Sequence, residues 1–150
     1  MIWFRIKRLE EKLRNDEVSD KEGLIYLIGN TLLATSALYI SKHPYANELL
    51  KFADLTFAIL ITIAGIWISF NINEKGDGKD YFKRYQALTF VIGLRLLVLM
   101  TIVAIVSVIA LYPSSDIYKN DGYHLLLMVV TPCIFYYNLY KSFQKLNSPD

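Results

Sequence analysis

Apolar residues fall into four long blocks separated by short polar stretches, and the third block sets the scale. Residues 87–111 read ALTFVIGLRLLVLMTIVAIVSVIAL, 25 positions with a single charge, Arg95. As a helix rising about 1.5 Å per residue, this block covers roughly 37 Å, more than the ~30 Å of a bilayer core. The same reading of the other blocks predicts an all-α integral membrane protein with transmembrane helices over about 23–41, 53–73, 86–112 and 122–142. Ser19-x-x-Glu22 has the spacing of a capping box at the start of the first span. Pro44 suits the first turn after the first connection, and Asn120-Asp121-Gly122 caps the fourth span. Pro132 falls inside that last span, where it removes a donor and predicts a kink.

Each span carries a stripe of small or polar residues of the kind that packs on another helix. The first has Gly23, Tyr26, Asn30, Ala34 and Ala37; the second has Asp54, Ala58, Thr62, Gly65, Ser69 and Asn73. Thr89, Gly93, Met100, Ala104 and Ser107 mark the third, and His124, Met128, Thr131, Phe135, Asn138 and Ser142 the fourth. Gly65, Gly93, Ala58 and Ala104 are the expected packing positions.

Residues 1–14 place Ile2, Ile6, Leu9 and Leu13 at helical spacing beside Trp3 and Phe4, with Arg5, Lys7, Arg8, Lys12 and Arg14 over the remaining surface. This pattern predicts an amphipathic cytoplasmic helix in the membrane interface, anchored by Trp3, Phe4, Arg5, Lys7 and Arg8. A solvated tail or an arm packed against a neighbouring subunit is the plainer alternative. A signal peptide would need a continuous apolar core and a small-residue cleavage site. The chain then divides into an interfacial segment, 1–22, and a four-helix transmembrane domain with a short cytoplasmic tail, 23–150.

Charge orients the spans. The N-terminal stretch, the second connection and the C-terminal tail hold twelve Lys and Arg residues, against three in the first and third connections. By the positive-inside rule both termini are cytoplasmic, as for a bacterial inner membrane protein. The net charge of +2, with basic residues beside apolar blocks, gives nucleic-acid binding no support. The lone Cys133 excludes an internal disulfide.

Arg95 then lies roughly 13 Å into its span, level with Asn30, Thr62 and Thr131, so these three and the carbonyl freed by Pro132 are its expected partners. Together with Asn138 they make an intramembrane polar network. Asp54 and His124 sit at the outer edge, and Asp54 is too far for a direct pair with Arg95 within one protomer. Helical phase points Arg95 away from the small-residue stripe of its own helix, so both faces need cover, which favours an oligomer. An Asn71–Phe82 calcium loop fails, since Lys75 and Phe82 stand where oxygen ligands are required. With only His43 and His124 and no catalytic or metal-binding spacing, no enzyme activity, cofactor or metal is expected.

Four short-looped spans with both ends inside resemble the architecture of small bacterial pore-forming effectors, bacteriocin immunity proteins and accessory subunits, a likeness that carries no site residues. The leading expectation is a homo-oligomeric pore or channel-like module, in the manner of an effector that alters membrane permeability. The alternative is a membrane-embedded immunity, adaptor or accessory subunit that binds a protein partner at the cytoplasmic face without conducting. A small transporter acting as an oligomer comes third, since four spans leave little room for a substrate cavity.

Overall fold

The computed structural model describes residues 5–40, 47–111 and 121–147, and their side chains except at 35–40 and 107–111. They form five helices: α1 (Ile6–Arg14), α2 (Asp20–Ile40), α3 (Glu48–Lys75), α4 (Tyr81–Leu111) and α5 (Asp121–Asn147). Among the described residues three helices are long and apolar enough to cross a membrane: α3, α4 over Tyr81–Val106, and α5. On their length and apolarity the chain is a membrane protein. The expected anchors Trp3 and Phe4, together with His43, Pro44 and the cap at Asn120, lie outside the described residues.

Local chemistry sets several helix ends. Ser19 and Glu22 form a reciprocal capping box, the Ser19 hydroxyl accepting from the Glu22 amide at 3.3 Å while the Glu22 carboxylate accepts from the Ser19 amide at 3.3 Å. α3 is capped by Asn47, whose side chain accepts from the Leu49 amide at 2.9 Å. At its other end the Gly76 amide bonds back to the Ile72 and Asn73 carbonyls, and Gly78 with φ of +65° turns the chain into α4. α5 runs unbroken through Pro132.

α2 packs on α4 and α3 on α5, with α4 against α5 joining the two pairs. Each outer pair is parallel. The Asn47 amide donates to the Asp121 carboxylate at 2.9 Å at the start of α3 and α5, and the Asn147 side chain donates to the Ile72 carbonyl at 2.9 Å at their far ends. α2 follows α4 in the same sense through Lys83–Asp20 at 3.0 Å, Tyr26 against Phe90 at 5.8 Å between centroids, and Asn30 on Thr89. Close approach needs glycine in both pairs: a β-carbon on Gly29 would run into the Phe90 ring, and one on Gly65 into the Tyr136 ring.

The buried core gathers at one end. It joins Leu9 and Leu13 of α1, Val18, Tyr26 of α2, Ala87 to Leu96 of α4, and Leu139, Phe143 and Leu146 of α5. Elsewhere the helices present bare apolar surface, as at Phe52 (68% exposed) and Trp67 (67%) on α3. Such surface is costly in water and neutral in lipid.

Candidate functional site

α1 is a short helix laid across α4 and α5. Leu9 (0% exposed) and Leu13 (3%) are inside the core, so the apolar side expected in the membrane interface is covered by the chain's own helices. A single-helix periodicity cannot distinguish these two seats, because lipid and protein accept the same apolar stripe. The C-terminal end of α1 is tied down by polar contacts. Arg14 donates to the Lys145 carbonyl, Lys145 pairs with Glu10 at 3.6 Å, and Lys12 pairs with Glu22 of α2 at 3.3 Å.

The other end of α1 reaches Arg95. Arg5, Ile6, Lys7, Arg8, Glu11 and Arg95 line an open cleft of about 520 Å³ between α1 and α4. Arg95 itself is exposed, while Val91, Ile92 and Leu96 beside it on α4 are buried. Helical side chains lean towards the N-terminus of their own helix, so Arg95 leans towards the end of α4 where α1 docks. Further along the same face, at the third, fourth and seventh positions after Arg95, Val98, Leu99 and Ile102 are exposed at 42%, 50% and 53%.

The polar residues expected around Arg95 are engaged elsewhere. The Asn30 amide shares its protons among the Gln86 carbonyl at 2.7 Å, the Gln86 side-chain oxygen at 2.8 Å and the Thr89 hydroxyl at 2.9 Å. Thr131 contacts the Met100 sulfur at 3.9 Å, Thr62 is exposed, and Asn138 bonds to the Ile134 carbonyl of its own helix at 2.8 Å. Depth placed these residues in one layer, but rotation about each helix turns Asn30 into the α2–α4 seam, Thr131 into the α4–α5 seam, Asn138 back onto its own backbone and Thr62 outward. Asp54 and His124 are half-buried, on α3 and α5 respectively. Of the packing positions, Gly65 is buried against Tyr136, Gly93 meets Phe135 and Leu33 at ordinary contact distance, Ala58 is half-buried and Ala104 is exposed.

A second polar cluster was not foreseen. Arg84, 2% exposed, forms a two-pronged pair with Asp77 and donates to the Asn73 side-chain oxygen at 3.0 Å, while Asn73 donates to the Lys79 carbonyl at 3.3 Å. The Arg84 guanidinium holds the Asp77 carboxyl below the usual carboxylate range. Tyr81 completes this end of the hairpin, its hydroxyl 2.9 Å from that of Ser69. The signal in the sequence is an acidic glycine turn followed by an arginine. The cluster clamps the turn between α3 and α4.

Among the described residues no group of three His, Cys, Asp or Glu side chains could hold a metal ion. The α1–α4 cleft is open and lined mainly by cationic side chains, so the chemistry it offers is recognition of an anion. Comparison with protein-family models, with curated proteins and with solved structures finds no match for this chain.

Proposed function

We propose that this is a four-span membrane protein with both termini cytoplasmic, α2 serving as the fourth span, and that it works by binding at the cytoplasmic membrane face rather than by conducting. In this reading it is an adaptor or accessory subunit. The observation that carries it is the position of Arg95, which shares a cleft with Arg5, Lys7 and Arg8 of α1 instead of a polar layer among the spans. The small and polar stripes that could line a passage are largely used inside the protomer, Asn30 on α4 and Gly65 against α5. The excess of basic residues at the α1 end supports the orientation. Reconstituted into liposomes, the purified protein is expected to give no ion flux above that of empty vesicles. A flux that Arg95→Gln abolishes would overturn this reading.

Such a flux would instead support a homo-oligomeric channel-like module. Its specific support is the exposure of Arg95 on an otherwise apolar helix, since a charge at that height calls for a polar neighbour or water.

A further inference from the structure

We infer that the α1–α4 cleft is the headgroup site of a bound anionic phospholipid, its phosphate among Arg5, Lys7, Arg8 and Arg95 and an acyl chain along Val98, Leu99 and Ile102. The inference deepens the binding function proposed above and rests on its topology. The first argument is charge. Four cationic side chains and one carboxylate, Glu11, line the cleft. Several basic residues elsewhere at this end of the molecule pair with acids: Lys12 with Glu22, Lys83 with Asp20 and Asp80, Arg84 with Asp77 and Lys145 with Glu10. Among the described residues Arg5, Lys7 and Arg8 make no ion pair. Gathering like charges beside Arg95 is unfavourable unless an anion joins them, and the energy of that repulsion grows as the surroundings become less watery.

Helix direction adds to this. The first turn of α1 forms a wall of the cleft, carries no acidic residue and has no side-chain cap on its amides. The dipole of the helix favours a negative group there, in addition to the three guanidinium groups. A cleft of about 520 Å³ holds much more than a phosphate ion.

The apolar strip identifies the source of the phosphate. Val98, Leu99 and Ile102 continue the face of Arg95 away from α1 and are about half exposed, so a molecule with its anionic group on the arginines has an apolar track beside it. In the proposed topology that track points into the hydrocarbon, and the arginines lie towards the cytoplasmic leaflet, where anionic lipids concentrate. A soluble phosphate compound would use the arginines and ignore the strip.

The test is native mass spectrometry of the purified full chain in a non-ionic detergent, given equal amounts of phosphatidylglycerol and phosphatidylcholine with matched acyl chains. Phosphatidylglycerol adducts are expected to exceed phosphatidylcholine adducts by about tenfold, the selectivity of one well-made charged contact. Arg95→Gln and, separately, Arg5→Gln/Arg8→Gln should each remove that preference, whereas Lys75→Gln, at an exposed position outside the cleft, should keep it. The α1 double variant alters exposed side chains only, so it reads the site even if Arg95→Gln fails to fold. Equal adducts of both lipids, or a preference unchanged in the α1 double variant, would overturn the site. Displacement of the lipid by millimolar inorganic phosphate would show a soluble anion to be the ligand and overturn the lipid assignment. The flux measurement is independent: a protein that conducts yet selects phosphatidylglycerol loses the binding-only function and keeps the site.

Discussion

The ring of Tyr136 occupies the space that a β-carbon on Gly65 would need. The atoms in the way include the ring carbon next to the Tyr136 backbone, so the ring cannot simply swing its tip aside. Gly65→Ala sets a gain of up to about 1 kcal/mol in helix propensity against an overpacking cost of about 1–3 kcal/mol, and the cost prevails. The variant should melt at a lower temperature in detergent. In a Tyr136→Ala background the same substitution should be neutral or stabilising, and an equal loss in both backgrounds would contradict the account.

Gly93 is the opposite case. A β-carbon there would meet Phe135 at 3.9 Å and Leu33 at 4.0 Å, ordinary contact distances. Gly93→Ala should therefore stabilise the protein by about 0.5–1 kcal/mol through the helix backbone alone. A fall in melting temperature would show that the α2–α4–α5 junction is tighter than these distances indicate.

Asn30 holds α2 to α4 through Gln86 and Thr89. Asn30→Leu should cost about 1 kcal/mol, in the range of interhelical hydrogen bonds inside membranes. The loss should localise, with faster proteolysis or hydrogen exchange in α2 and little change in α5. Equal loosening of both helices would deny Asn30 a specific role in that seam.

The Asp77–Arg84 clamp carries a pH signature. Because the folded pKa of Asp77 lies below that of the unfolded chain, its stabilisation is complete above about pH 4 and disappears as pH falls through the lowered value. At neutral pH Asp77→Asn should lower stability by about 1 kcal/mol, allowing for the carboxylate's contact with water. Melting curves of the two proteins should converge on acidification, and a gap that stays constant down to pH 3 would assign the effect to packing instead.

Leu9 fixes α1 in its seat. It is fully buried, and Leu9→Ala should cost about 2–5 kcal/mol, concentrated on the docking of this one helix. Hydrogen exchange at residues 6–14 should rise strongly while α3 stays protected. Unchanged exchange would mean that the ties of Arg14, Lys12 and Glu10 hold α1 without its apolar contact.

Element type was legible in the sequence, and side-chain partnership much less so. The apolar blocks marked α3, α4 and α5, but helices outrun the hydrocarbon: α4 starts at Tyr81 rather than near 86, and α5 ends at Asn147 rather than near 142. The Ser19–Glu22 box was readable because both halves of a capping box lie three residues apart. Asn30 stood out as polar, yet its partner Gln86 sits at the edge of an apolar block, and helix rotation, not depth, decides the pairing. For Arg95 the phase argument, which turned it from the Thr89–Gly93 side, described its environment better than the depth argument did. Arg84 was overlooked because its pairing depends on a turn with positive φ at Gly78 and Asp80, a local geometry that composition does not encode.

The docking of α1 on the last turns of α5 also has a consequence in time. α1 leaves the ribosome well before Leu139, Phe143 and Leu146, which share its core. At ordinary elongation rates roughly ten to twenty seconds separate the two events, during which the apolar side of α1 has no seat in its own chain. Closure of this core therefore waits for the end of α5. A chain cut short after residue 138 would possess most of its apolar helices and still carry a loose, sticky N-terminus of the kind that quality-control proteases recognise.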